Sequence, residues 1–225
     1  MHIIYRISDA GHKKVKPAYI NNKKCLQNAL SVFSNSKWKI IADNTSEETD
    51  SYIPSEYIQK VNQGNGAKTF NLALDYALSL PDDEIVYFLE NDYLHKPNSE
   101  KILEQVFSLN PSFVSLYDHP DKYIEPKNGG NPHCEGRSEK TRVYISNYCH
   151  WKITNSTTMT FASKVSTLKK TESIFRKYSQ GTYPHDFHIF SELKKMGYIT
   201  ISPIPSLSTH GESRWLAPFV EWSSL

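Results

Sequence analysis

The sequence predicts an α/β fold: a mostly parallel sheet flanked by helices, with a small mixed or antiparallel region. Three observations predict it. Short apolar runs at 2–7, 38–43, 57–61 and 85–89 alternate with stretches of helical periodicity, the order that builds parallel β-α-β units. Three of those runs end in polar patches, Arg6-Ile7-Ser8-Asp9, Asp43-Asn44-Thr45 and Glu90-Asn91-Asp92, and in an open α/β sheet ligands sit outside the carboxyl ends of strands. A chain of 225 residues can also bury a substantial core within one domain.

Residues 2–7 are a β-branched first strand that opens into a polar loop over 11–16 with three lysines, Lys13, Lys14 and Lys16. Pro17 permits a helix start, and Leu26, Ala29, Leu30 and Phe33 recur at helical spacing, so an amphipathic helix is predicted over 18–34. The strand over 38–43 then favours a parallel pair with a right-handed crossover. A third strand over 57–61 leads into Gln63-Gly64-Asn65-Gly66-Ala67-Lys68-Thr69. This segment departs from a phosphate-binding P-loop, which needs glycines where Asn62 and Ala67 stand. It reads as a glycine-rich entry to a helix whose Phe70, Ala73, Leu74 and Ala77 share a face, with Lys68 near an N-terminus able to meet an anion.

The rest is arranged around the stretch 84–95. Its apolar run, Ile85-Val86-Tyr87-Phe88-Leu89, is that of a strand buried on both faces, and it stops abruptly at Glu90-Asn91-Asp92. Two acids two residues apart leave a strand on the same side, so Glu90 and Asp92 can face one hard cation; a solvated turn needs no ligand to look the same. Pro97-Asn98-Ser99 caps a helix to about 109, and 112–117 is another strand. Residues 118–140, rich in Pro, Gly, Asn and charge, form a long loop of functional type. Strands over 141–146 and 157–161 bracket an aromatic polar cluster, Asn147-Tyr148-Cys149-His150-Trp151. Helices follow over 163–178 and from Asp186, where Phe190, Leu193 and Met196 turn inward before Gly197. Asp186 falls in a first turn, where the helix dipole alone favours a carboxylate. A last strand over 198–202 precedes a tail with His210 and the aromatics Trp215, Phe219 and Trp222.

Composition narrows the function classes. A formal net charge of +2 is too weak to argue for nucleic acid or an anionic membrane. No signal-like segment opens the chain and no apolar run approaches a membrane span, so a soluble, cytoplasmic protein without a transmembrane segment is expected. Cys25, Cys134 and Cys149 are an odd, sparse set that fits reduced thiols. His133-Cys134 and Cys149-His150 lack the C-x-x-C knuckle of a zinc site.

In this order the features resemble a GT-A type (Rossmann-like, family-2-like) glycosyltransferase, similar to small bacterial or large-DNA-virus members that add single sugars to glycans. The match covers most of the chain: Arg6 to Asp9, Asp43, the glycine-rich turn into a helix with Asn71-x-Ala73-Leu74, Glu90-Asn91-Asp92, Asp186, and His210 after the final strand. Two positions depart from the family pattern, Glu90 where the acidic motif opens with Asp and His185-Asp186 where two acids are usual. Arg214-Trp215 resembles the end of a motif of processive polysaccharide synthases, but Gly211 stands where the Gln is expected.

The resemblance implies one domain over 1–225, with a nucleotide-binding half over 1–117 and an acceptor-binding half over 118–225. It implies metal-dependent transfer of one sugar from a nucleotide sugar, a UDP-sugar favoured, to a hydroxyl of a glycan or glycoconjugate, with inversion. Mn2+ or Mg2+ held by Asp92, His210 and Glu90 would offset the charge of the departing diphosphate. Asp186 is the expected general base, with His185 its rival, and Arg6, Ser8, Asp43, Lys68 and Asn91 are the expected donor contacts. No nucleic acid is expected as a partner. One alternative is a nucleotidyltransferase, which would carry a glycine-rich basic first loop where only Gly11 stands. The other is a non-catalytic carbohydrate-binding module using the aromatic tail.

Overall fold

The computed structural model describes residues 1–10 and 14–225, so Gly11 and Lys13 of the predicted lysine loop lie outside the described residues. At the centre is β1 (His2–Ser8), with β2 (Lys37–Asp43) parallel on one side and β4 (Ile85–Glu90) parallel on the other. β3 (Ile58–Val61) lies outside β2. Beyond β4 follow β9 (Phe161–Lys164), β6 (Phe113–Val114), β10 (Thr200–Ile204), β8 (His150–Thr154) and β7 (Val143–Ile145), giving a nine-stranded sheet among the described residues. The pairings set β1 to β4, β6, β7 and β10 in one direction and only β8 and β9 against it. The mostly parallel α/β sheet is therefore as predicted.

Alternation along the strands distributes the core over both faces. Ile3, Tyr5 and Ile7 of β1, with Tyr87 and Leu89 of β4, pack beneath α1 (Asn22–Val32) and α4 (Ser99–Val106) on Leu26, Phe33 and Leu103. Ile4, Val86 and Phe88 face the other way, onto Phe70 of α3 (Gly66–Leu78), Phe175 of α5 (Val165–Lys177) and Phe190 of α6 (Asp186–Lys195). Each of these large side chains, fully buried, contributes about 1.5–3 kcal/mol. Arg6 belongs to the Ile4 series and therefore emerges on the α3 side, over the ring of Phe70.

Several boundaries differ from the sequence expectation. α1 begins at Asn22, not 18, because the Asn21 side chain accepts from Lys24 N and caps it, while Pro17 closes only a turn with Ile20. β6 is two residues long instead of six, and β9 starts at Phe161 where 157–161 was expected. The aromatic cluster at 147–151 supplies the start of β8. Met196 is exposed, not inward, whereas Phe190 and Leu193 are buried as expected. A short α2 (Glu47–Ser51) and a two-stranded ribbon of β5 (Tyr93–His95) with β11 (Ser208–His210) had no counterpart. In the tail, Trp222 belongs to the core and donates its indole N–H to Ala217 O at 2.7 Å. No helix among the described residues is long and apolar enough to cross a membrane.

Candidate active site

The chain leaves β1 toward β2 and β3 on one side and returns at β4 on the other, so the strand order reverses between β1 and β4. A crevice opens outside the carboxyl ends of strands at such a point. A cleft of about 300 Å³ lies there, lined among others by Arg6, Ser8, Asp43, Glu90, Asn91 and Asp92. That is the lower end of small-molecule pockets, about 300–1,000 Å³. Lys68 is exposed on α3 and does not line the cleft.

Register explains the first contacts. Arg6 and Glu90 are direct neighbours on β1 and β4, and Arg6 Nη2 donates to Glu90 Oε1 at 2.9 Å while Nη1 donates to Gly66 O at 3.2 Å. Glu90 N also donates to Thr160 Oγ1 at 3.2 Å. Asp43 closes β2 and accepts through Oδ1 from Gln63 N at 2.6 Å and Gly64 N at 3.2 Å, which fixes the turn leading to α3. Gly64 has φ +58°, a left-handed conformation that glycine adopts without strain. Asn91 Nδ2 donates to Ser8 O at 3.2 Å and to Asn22 Oδ1 at 2.7 Å, tying the end of β4 to β1 and α1. Asp9, also in the cleft, accepts from Ser46 N, Thr49 Oγ1 and Asn22 Nδ2; burial pushes its pKa up, but these hydrogen bonds outweigh it and hold the group below its ordinary value.

Asp92 lies past the end of β4, where strand alternation no longer holds, and its partners differ from those of Glu90. The β5–β11 ribbon sets His210 opposite Tyr93 and brings His210 Nε2 to 3.2 Å from Asp92 Oδ2. Lys14 Nζ and Lys16 Nζ sit 3.3 and 3.4 Å from the same oxygen, and Lys14 Nζ is 2.9 Å from His210 Nε2. Burial would raise the Asp92 carboxyl, but His210 and the two ammonium groups hold it far below the ordinary carboxylate range. The sequence expectation thus brings Asp92 and His210 together across the sheet edge. The donor set does not fit a divalent cation in this arrangement. Glu90 is turned to Arg6, two ammonium groups already meet Asp92 Oδ2, and no group of three or more His, Cys, Asp or Glu among the described residues is arranged to hold a metal.

Asp186 lines a second cleft of about 160 Å³ with His119, Asp121, Asn131, Ser156 and Thr158 among its walls. It opens α6, and its Oδ1 accepts from Phe187 N at 2.6 Å. Burial raises its pKa above the ordinary value, and the charge of Glu90 raises it further against the opposing pull of that hydrogen bond, His119 and Lys122. Glu90 therefore acts on both clefts. His185, the rival base, is exposed just before α6. Opposite, Asp121 N donates to His119 Nδ1 at 3.1 Å, and Asn131 Nδ2 donates to Asp121 Oδ2 at 3.2 Å.

The sequence reading gave no role to Lys14, Lys16, Asn22, His119 or Asp121. The signal that was available for the lysines is their clustering in the loop directly after the first strand.

No family model and no curated protein matches the chain. Among solved structures, the crystal structure of A197 from STIV is similar over 97% of this chain and 91% of that chain, with a TM-score of 0.49 and 16% sequence identity. The α/β architecture described above rests on the strand pairings of this chain itself.

Proposed function

We propose that this chain is a glycosyltransferase that moves one sugar from a nucleotide-sugar donor, a UDP-sugar in the first instance, to a hydroxyl of a glycan acceptor with inversion. The observation that carries this reading is a pair of clefts: one gathers Arg6, Lys14 and Lys16 at the switch point, the other holds the Asp186 carboxyl, raised above its ordinary value by burial and by the charge of Glu90 in the first cleft. The first suits a diphosphate, the second an alcohol that must lose its proton. In this reading residues 1–117 bind the donor and 118–225 the acceptor. Asp43 meets the base, while Arg6, Ser8 and Asn91 hold the nucleotide. Asp186 takes the proton of the acceptor hydroxyl as its oxygen attacks the anomeric carbon from the side opposite the diphosphate. Manganese or magnesium at Asp92 and His210 enters the proposal only as the rival of the two lysines considered below.

The test begins with the melting temperature of the chain against UDP-, GDP- and dTDP-sugars, because a bound donor stabilises the native state by mass action. One donor is expected to raise it; a flat response across the panel removes the transferase reading. Asp186→Asn is expected to keep that shift and to lower transfer by about 10²- to 10⁴-fold. A base must be deprotonated to act, so the acid limb of the transfer rate is expected above the ordinary carboxylate pKa. Undiminished transfer in Asp186→Asn takes this residue out of the mechanism.

A further inference from the structure

We propose that Lys14 and Lys16 supply the positive charge that a divalent cation would otherwise bring to the donor diphosphate, so that the site binds its nucleotide without metal. The inference rests on the glycosyltransferase reading and specifies how its donor cleft works. Both ammonium groups converge on Asp92 Oδ2, at 3.3 and 3.4 Å, inside the cleft at the ends of β1 and β4. Their side chains are 32% and 27% exposed, so they are held in place yet open to a ligand. Two ammonium charges on one carboxylate leave one net positive charge, which is what a divalent cation on one carboxylate leaves. A metal ion entering here would meet both ammonium groups at close range with no added carboxylate, because Glu90 is paired with Arg6.

The chemistry is consistent with this charge count. In transfer the bond between the anomeric carbon and the diphosphate oxygen breaks and its electron pair stays on that oxygen. A new bond forms from the acceptor oxygen to the carbon, and the acceptor proton passes to Asp186. The diphosphate gains one negative charge and no proton. Each lysine carries three N–H donors on a flexible stem, so it can keep its contact with Asp92 and donate to the phosphate oxygens as well. Asp92 and His210 then anchor the ammonium groups instead of ligating an ion.

Calorimetric binding of UDP, GDP and dTDP to the full chain, in excess EDTA and in excess manganese, tests this. The wild type is expected to bind one nucleotide equally in both. Lys14→Ala/Lys16→Ala is expected to lose about 10- to 100-fold or more in EDTA, the loss for a hydrogen bond to a charged group. Lys14→Arg/Lys16→Arg is expected to stay within a few-fold of the wild type. Because the alanine pair leaves Asp92 without its cations, Lys14→Ala/Lys16→Ala/Asp92→Asn serves as the variant without that unpaired charge, and it too is expected to lose binding. In the alanine pair manganese is expected to restore part of the affinity, since Asp92 Oδ2 and His210 Nε2, 3.2 Å apart, then face the cleft without the two ammonium groups. Wild-type binding that appears only with manganese overturns the inference and leaves the transferase reading standing, as does full binding by the alanine pair in EDTA. Absence of nucleotide binding in both buffers overturns the transferase reading and this inference together.

Discussion

His95 is fully buried, with Nε2 2.9 Å from the Tyr87 hydroxyl and Nδ1 lacking a hydrogen-bond partner among the described residues. Burial pushes its pKa from 6.5 down to about 3. Between those values the unfolded chain takes up a proton that the folded chain refuses. Stability therefore rises with pH through this window and is lost as pH falls below 6.5, by at most about 1.4 kcal/mol per pH unit. His95→Gln can still bond Tyr87 but does not titrate, so its unfolding free energy in urea is expected to fall less steeply between about pH 6 and about pH 4. Equal slopes in the two proteins would show that His95 is protonated in place. Residues such as this, and the pairing of Glu90 with Arg6, show where single-residue reading stops. The sequence marks Glu90 and Asp92 as strand-end groups, but which cation each meets depends on register with β1 and on the lysine loop, and neither is visible in a three-residue motif.

At the scale of elements, the β5–β11 ribbon sets the geometry around Asp92. Gly211 follows β11 directly, and a Cβ there would lie 2.6 Å from Ile20 Cγ2 and 2.9 Å from Asp92 O. The isoleucine can rotate, but a backbone carbonyl cannot retreat without moving the turn after β4. Gly211→Ala is therefore expected to destabilise the chain by about 1–3 kcal/mol and to weaken nucleotide binding, because Asp92 and His210 separate. Gly181→Ala meets nothing nearer than His185 Nε2 at 4.0 Å and is expected to stay within about 0.5 kcal/mol of the wild type. Comparable unfolding free energies for the two variants would refute the role given to this contact. Long elements were legible because several turns or alternations repeat one signal, as in β1, β4, α3 and α5. β5 and β11 were not, and β6 was expected over 112–117 but holds only two residues, since two or three residues carry no period and their pairing is set by distant partners.

For the molecule as a whole, the order of strands sets the first cleft at the ends of β1 and β4, whereas the later half is held by charges that no local pattern announces. Lys152 of β8 is buried and pairs with Asp118 Oδ1 at 2.9 Å and Glu139 Oε2 at 3.1 Å, the two ends of the long loop over 118–140. Burial works to lower the Lys152 pKa, and the two carboxylates outweigh it, so the group is raised above its ordinary value and stays charged. Glu139 also accepts from Asn155 N and Nδ2, both at 2.7 Å, which locks the loop against the segment leading to β9. That loop carries His119, Asp121 and Asn131 of the second cleft, so the Lys152 pairs bear on the shape of that cleft. Lys152→Met leaves two carboxylates in the interior without their cation and is expected to cost about 3–5 kcal/mol. Lys127→Met, which breaks an exposed pair with Glu125, is expected to cost no more than about 1 kcal/mol. Limited proteolysis then separates a local effect from a global one. If Lys152 fastens the loop, the methionine variant is cut first within 118–140 while the sheet from β1 to β4 stays protected; a cleavage pattern like that of the wild type would mean that the loop is held by its other contacts.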